Sequence, residues 1–206
     1  MAMNRRRIFA TLVVALFISG CMPQNPFRSM NNGESPTKIS MPMDRMKERP
    51  TPLSFGLYVT PNPAQNPIDP PERFTGYHSA LDFEVLSDEQ DAPVPIYAIC
   101  TGEIAYSDHA EGYGGVLIQG CILEGQEVMV LYGHLDHGSF EKKKGERLVS
   151  GDKIGILAPT RSEESGGNRK HLHLGIHKGR ELEFRGYVQS ENELEQFINP
   201  ATVLEQ

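Results

Sequence analysis

Histidine alternates with leucine or isoleucine across residues 171–177, whose sequence is His-Leu-His-Leu-Gly-Ile-His. A period of two is typical of a half-buried β-strand, with imidazoles on one face and aliphatic side chains on the other. Side chains two positions apart on a strand point the same way, roughly 7 Å apart. His171 and His173 are therefore spaced to flank one metal ion, one as a ligand and one beside the open coordination position. The alternative is an edge strand whose outer face is merely rich in imidazole.

Two other segments supply a carboxylate and further histidines. His78 and Asp82 are four positions apart near the start of a β-rich region, and His134 lies in its middle. Two imidazoles and one carboxylate with a vacant fourth position form a catalytic zinc site, whereas structural zinc usually has four protein ligands. The chain has no cysteine cluster for structural zinc and no His-Glu-x-x-His motif of the helical zinc proteases. These residues therefore favour a catalytic zinc site made from His78, Asp82 and one late histidine.

The elements that would position these residues are short strands separated by Gly, Asp and Asn. A single short helix is predicted over 190–197, with Ser190 as a possible N-cap and Glu193 three residues later. The pattern predicts an all-β domain of antiparallel sheets, packed as a sandwich or an open barrel, with little helix. The predicted strands are 55–59, 80–86, 94–100, 102–106, 115–119, 127–132, 153–157 and 171–177.

The order of these motifs resembles that of the lysostaphin-type (LytM-like) zinc metalloendopeptidases, which cleave peptides of bacterial peptidoglycan. The shared motifs are His78-x-x-x-Asp82, Tyr132-x-His134 and His171-x-His173, and the likeness extends from about residue 76 to residue 200. The resemblance implies the family's all-β fold, which is of the duplicated hybrid motif kind. It also implies that His78, Asp82 and His173 are the ligands of a zinc ion, Zn²⁺.

The same resemblance makes His134 and His171 the two catalytic histidines beside the metal. A neutral imidazole there orients a water molecule or takes its proton, and a protonated one donates to the developing oxyanion. Which histidine has which role stays open. The implied activity is hydrolysis of peptide bonds in peptidoglycan stem peptides or cross-bridges. Some relatives have lost ligands, so the alternative is a non-catalytic module that binds the cell wall and activates another wall hydrolase.

Two stretches depart from the usual family pattern. Ser79 and Ala80 follow His78 where family members commonly have glycine, and residues 165–170 replace the usual Thr-Gly-containing approach to His171. Both stretches flank the expected groove. We therefore expect them to affect substrate choice more than metal binding.

The N-terminus predicts an export signal over residues 1–20. Three arginines precede an apolar run from Ile8 to Ile18, which is short for a transmembrane helix. The residues before Cys21 resemble the lipobox of bacterial lipoproteins, which implies cleavage before Cys21 and a lipid anchor on that residue. The alternative is an ordinary secretory signal with an incidental cysteine. We expect an extracytoplasmic, membrane-tethered protein, and Met22 after the cysteine favours an outer membrane if the envelope has one.

Composition sets the remaining expectations. Residues 21–52 are rich in Pro, Asn, Ser and Met without apolar periodicity, which predicts a flexible linker. Residues 53–206 then form one domain.

The formal net charge of −7, without a basic run, argues against nucleic acid as a partner. Cys100 and Cys121 lie in neighbouring predicted strands, so both a cross-strand disulfide and two buried thiols are open in an oxidising compartment.

Overall fold

The computed structural model describes residues 38–205 of the 206-residue chain. The predicted signal peptide, Cys21 and the predicted linker as far as residue 37 lie outside the described residues. In the part of the chain that is described, no helix has the length and apolar character needed to cross a membrane.

Antiparallel strands dominate the described residues. α-Helix is confined to two brief segments between residues 191 and 204, and three 3-10 turns lie earlier in the chain. The strands are β1 Tyr58–Val59, β2 Gly76–His78, β3 Ala80–Glu84, β4 Pro95–Tyr97, β5 Gly102–Ala110, β6 Gly114–Leu123, β7 Gln126–Leu135, β8 Arg147–Leu148, β9 Lys153–Ile156, β10 His171–Lys178 and β11 Tyr187–Val188. The helices are α1 Glu191–Leu194 and α2 Pro200–Leu204. The prediction of an all-β fold with little helix is confirmed.

One six-stranded sheet organises the molecule, in the order β3-β10-β7-β6-β5-β8, with antiparallel pairing throughout. A three-stranded sheet (β1-β2-β11) and a two-stranded ribbon (β4-β9) complete the fold. Because β10 lies between β3 and β7, its histidine-bearing face is bordered by strands from the early and middle parts of the chain. The topology thus brings the three sequence motifs together.

The main core packs on the aliphatic face of β10. Leu172, Leu174 and Ile176 are fully buried there and belong to one cluster with Ile96 of β4 and Ile154 of β9. Burial of each such side chain contributes roughly 1.5–3 kcal/mol, so this face holds the strand in place. The opposite face of the sheet carries the histidines and is therefore available for chemistry.

The described part of the predicted flexible linker packs on the domain, which corrects the expectation that the linker extends to residue 52. Met43 is 2% exposed within the main core, and Arg49, 6% exposed, donates to Glu89 at 2.7 Å. Composition did not reveal this packing because the residues that make it are scattered without apolar periodicity, and Ile39 and Met46 also pack against the core.

The sequence near residues 190–204 predicted only part of the local structure. The capping pair of the predicted helix is present, with the Ser190 N–H donating to the Glu193 carboxylate at 3.1 Å, but α1 is only four residues long. Helix α2 was not predicted, although Asn199 caps it and Pro200 occupies its first turn. Cys100 and Cys121 form a disulfide, so of the two open alternatives the structure has the bridge.

Candidate metal centre

Sheet register sets two of the three expected ligands side by side. His173 of β10 lies directly opposite Asp82 of β3 on one side and Gly133 of β7 on the other. Opposite positions in an antiparallel pair place their side chains on the same face, about 5 Å apart at Cβ. Gly133 leaves room for the ring of Tyr113, since a Cβ there would lie 2.7 Å from its Cδ1 atom.

His78 reaches the same point from the smaller sheet. It ends β2, one residue before β3 begins, and its Nε2 faces the carboxylate of Asp82. The buried Ser79 hydroxyl donates to the Arg185 carbonyl at 2.7 Å. The departure from glycine at this position therefore anchors the 185–186 backbone and adds no bulk to the groove.

The three expected ligands converge on one point. His78 Nε2 lies 3.3 Å from both Asp82 Oδ1 and His173 Nδ1, and His173 Nδ1 lies 3.0 Å from Asp82 Oδ1. Donor atoms bound tetrahedrally at 2.0–2.1 Å from a zinc ion lie about 3.3 Å from one another. The spacing and the donor set therefore fit zinc, and His78, Asp82 and His173 are the residues that could hold it.

The outward-facing nitrogen of each ligand histidine has its own partner. His78 Nδ1 lies 3.4 Å from the Ser54 carbonyl, and His173 Nε2 lies 3.2 Å from the Tyr113 hydroxyl. Hydrogen bonds from the second ring nitrogen fix the tautomer and orientation of metal-binding histidines. Tyr113 is thus part of the site.

Burial and charge favour the protonation states that metal binding requires. Burial lowers the pKa of His173 to about 4, and its contact with Asp82 offsets only part of this effect. Burial alone would raise the pKa of Asp82, but the charges of His171 and His78 hold it well below its ordinary value. A neutral imidazole and an ionised carboxylate are the forms that bind metal.

Arg169 forms an ion-pair network behind the site that the sequence did not reveal. Its guanidinium donates to Asp82 Oδ2 at 2.7 Å, to Glu84 at 2.8 Å and to Glu72 at 3.1 Å. The stretch 165–170 was expected to affect substrate choice. That expectation stays a prediction, and Asn168 of this stretch lines the cavity. Arg169 contacts the outer oxygen of the Asp82 carboxylate, and Lys170 donates to the backbone carbonyls of Glu89, Gln90 and Ala92.

A β-bulge aims His134 into the site. Tyr132 and Leu135 pair with Leu117 and Gly115, so Gly133 and His134 together lie opposite one residue of β6. His134 has a φ of 62°, an uncommon conformation for a residue with a side chain. Such a backbone persists only where the surroundings hold it, and it is typical of functional sites.

The hydrogen bonds of His134 define its tautomer. Its Nδ1 lies 3.0 Å from the Tyr113 carbonyl and 2.9 Å from the Ser165 carbonyl. Carbonyl oxygens only accept, so Nδ1 carries the proton and Nε2 keeps its lone pair. Burial, followed by the nearby charges of His171 and His173, lowers the pKa of His134 well below its ordinary value, which keeps this lone pair available.

His171 differs from His134 in the partners of its ring nitrogens. Its Nδ1 faces the Arg169 carbonyl at 2.9 Å, and its Nε2 faces Asp82 Oδ2 at 3.1 Å. Because both ring nitrogens face acceptors, the doubly protonated imidazolium satisfies both contacts. The ring centres of His171 and His134 are 4.4 Å apart, so a donor and an acceptor stand side by side.

The cluster opens into a cavity of about 290 Å³. His134, His171 and His173 line its floor, and Glu72, Arg185 and Tyr187 line its walls. His177 packs against Phe197 and does not line this cavity. His109 and His137 lie on the surface, where their side chains are 43% and 39% exposed.

The antiparallel β-domain and its buried His-Asp-His cluster define a LytM-like domain. Residues 76–184, more than half of the chain, match the profile of Peptidase family M23, and the chain belongs to that family. The sequence-based expectation of a LytM-like protein is confirmed. No curated protein sequence matches the chain.

Solved structures show the same fold. The catalytic domain of the antimicrobial peptidase lysostaphin from Staphylococcus simulans matches with a TM-score of 0.51 and 17% identity, covering 78% of this chain and 96% of that one. A structure of the SpoIIQ-SpoIIIAH pore forming complex matches with a TM-score of 0.54 and 14% identity, covering 82% and 92%. A solution structure of lysostaphin, with a TM-score of 0.49 and 21% identity, is covered over 54% of its chain and 82% of this one. This chain thus spans about half of that protein.

Proposed function

We propose that this chain is a zinc metalloendopeptidase that hydrolyses peptide bonds in peptidoglycan stem peptides or cross-bridges. The observation that carries the proposal is the convergence of three ligand atoms, 3.0–3.3 Å apart, beside two further imidazoles in an open cavity. Membership of Peptidase family M23 supports the reaction class and the substrate class. A zinc ion held by His78, Asp82 and His173 would supply a Lewis acid that polarises the scissile carbonyl.

The two remaining histidines divide the proton transfers. His134 offers an unprotonated Nε2 and therefore acts as the general base that takes a proton from the attacking water. His171, as the imidazolium that its two acceptors favour, donates to the developing oxyanion or to the leaving amine. We propose this division for the two roles that the sequence left open.

Tyr113 and Arg169 position reacting groups and do not react themselves. Tyr113 accepts a hydrogen bond from His173 Nε2 and keeps Nδ1 directed at the ligand point. Its own pKa is raised by burial, so the hydroxyl stays protonated. Arg169 restrains the carboxylate of Asp82 through its outer oxygen, which leaves Oδ1 directed toward the two histidines.

We further propose that the mature protein begins at Cys21 and is tethered by lipid on the outer side of the membrane. The lipobox-like residues before Cys21 are the support for this localisation. Mass spectrometry of the N-terminal peptide from cell envelopes would detect a diacylated or triacylated Cys21. An unmodified peptide that continues through residue 20 would contradict the anchor.

Purified sacculi and defined muropeptides test the enzymatic proposal. The zinc-loaded full chain is expected to release peptides whose masses identify one cleaved bond, and a chelator should stop the release until zinc is restored. His134→Ala provides the matched inactive protein, and His177→Ala the control histidine substitution. If the zinc-loaded chain sediments with sacculi but releases nothing, the non-catalytic binding module is the better account.

A further inference from the structure

A second group of metal-type side chains lies on the surface, away from the buried cluster. Asp108 and His109 belong to β5, and His137 begins a short 3-10 turn, His137–Ser139. One ligand-type atom from each residue lies within 4.8 Å of the others. Asp108 Oδ1 is 3.9 Å from His109 Nδ1 and 3.8 Å from His137 Nε2, and the two rings are 4.7 Å apart.

Glu164 gives this group the organisation of a metal site. One of its oxygens accepts from His109 Nε2 at 3.0 Å and from the backbone N–H of His137 at 3.0 Å. With Nε2 donated to Glu164, the lone pair of His109 is on Nδ1, the atom that faces Asp108. A metal-binding histidine typically donates its second ring N–H to a carboxylate in this way.

We propose that Asp108, His109 and His137 bind a second zinc ion, independent of the buried site. Two imidazoles and one carboxylate suit zinc, whereas magnesium and calcium prefer oxygen ligands throughout. The separations of 3.8 and 3.9 Å exceed the roughly 3.3 Å of tetrahedral ligands by about half an ångström. The three side chains are 39–70% exposed and have the freedom to close that gap.

An ion at this position would join the segments that support His134 from outside the groove. Glu164 precedes Ser165, whose carbonyl accepts from His134 Nδ1, and its own carbonyl accepts from the Gly115 N–H. Strand β5 continues through a tight turn to Tyr113, whose carbonyl is the other acceptor of His134 Nδ1. The second ion therefore ties the β5–β6 turn to the 159–170 loop.

Zinc stoichiometry tests the proposal without reference to activity. The full chain is equilibrated with zinc by dialysis, and bound metal is counted by mass spectrometry of the digested protein. The double variant His109→Ala/His137→Ala is expected to lose one equivalent relative to the parent, while His177→Ala loses none. Equal zinc in the parent and the double variant overturns the proposal.

A measurement on the unaltered chain guards against a misfolded variant. The imidazole nitrogen resonances are followed by NMR while zinc is added. One set of zinc-dependent shifts is expected at His109 and His137, separate from the set at His78 and His173. Zinc saturation that leaves the His109 and His137 resonances in place overturns the second site.

Glu164→Gln tests the orienting carboxylate. Loss of such a partner typically weakens metal binding about 10–100-fold. We expect that loss at the surface site only, measured by competition with a zinc chelator of known affinity. Unchanged affinity at the surface site would refute the assigned role of Glu164 and the ligation of His109 through Nδ1.

Discussion

The buried cluster and the surface cluster each contain two histidines and one aspartate, in different surroundings. His78, Asp82 and His173 are at most 5% exposed, and sheet register sets Asp82 opposite His173. Asp108 and His137 are 70% and 39% exposed at their side chains and lie where strands give way to turns. The fold therefore already holds the buried side chains close together, whereas the proposed surface site would need an ion to draw its three side chains together.

Asp82→Asn is the change with the largest expected effect. The amide keeps the shape but loses the charge that offsets the metal, so the hydrolysis rate should fall about 10³-fold or more with the loss of several kcal/mol of charge stabilisation. Release of muropeptide fragments and bound zinc are measured together. Asp108→Asn is the comparison variant. Because Asp108 is exposed, the substitution should change the protein's free energy of unfolding by less than about 0.5 kcal/mol. An active Asp82→Asn protein would remove the distinction between the clusters.

His134→Ala separates proton transfer from metal binding. Removal of a general base lowers the rate about 10²–10⁴-fold, while the bound zinc should be unchanged because the three ligands remain. The rate of peptide release and the zinc content are measured on the same preparation. A parallel loss of zinc would show that His134 supports the ligands and is not the base.

Arg169→Met tests the ion-pair network that surrounds the buried ligand. Glu72, Asp82 and Glu84 would lose their shared cation, so the free energy of unfolding should fall by about 2–3 kcal/mol in the presence of a chelator. Urea denaturation provides the measurement. Arg180→Met is the matched control, because its pair with Glu127 is exposed and screened by solvent, so its loss should change the free energy of unfolding little. Equal losses in the two variants would contradict a buried network.

The metal-free protein should lose stability in mild acid because of the buried histidines. The pKa of His173 is about 4 in the folded chain against about 6.5 when unfolded, and the pKa of His134 is lowered as well. The unfolded chain therefore binds more protons between these values, and stability falls as the pH drops from about 6.5 to about 4, by up to about 1.4 kcal/mol per pH unit for each proton. Urea midpoints across this range measure the slope. A flat profile would mean that these imidazoles are already protonated in the fold.

Strand β10 was the easiest element to predict, because its two-residue period shows which side chains lie on each face of the strand. The three expected ligands and His134 were named from spacing and from the family resemblance, and the structure brings these side chains together. Their register was not readable, since the contact of Asp82 with His173 joins residues 91 positions apart. Neither was the bulge at His134, which depends on a mismatch between two paired strands.

The contributions of Tyr113 and Arg169 also required the structure. A tyrosine between glycines is typical of a turn, and nothing local shows that its hydroxyl meets His173. Arg169 stands in a polar stretch that reads as loop, and its three acidic partners come from residues 72–84. Glu72 and Glu84 carry no signal of their own, because isolated glutamates are usually solvated surface residues.

Diffraction from zinc-loaded crystals on either side of the zinc absorption edge tests the central claim most directly. The account predicts an anomalous peak about 2.0–2.2 Å from His78 Nε2, Asp82 Oδ1 and His173 Nδ1, with one position of the ion facing the cavity. Crystals that contain zinc but show no peak among these three atoms, or a peak closed by a fourth protein ligand, would contradict it.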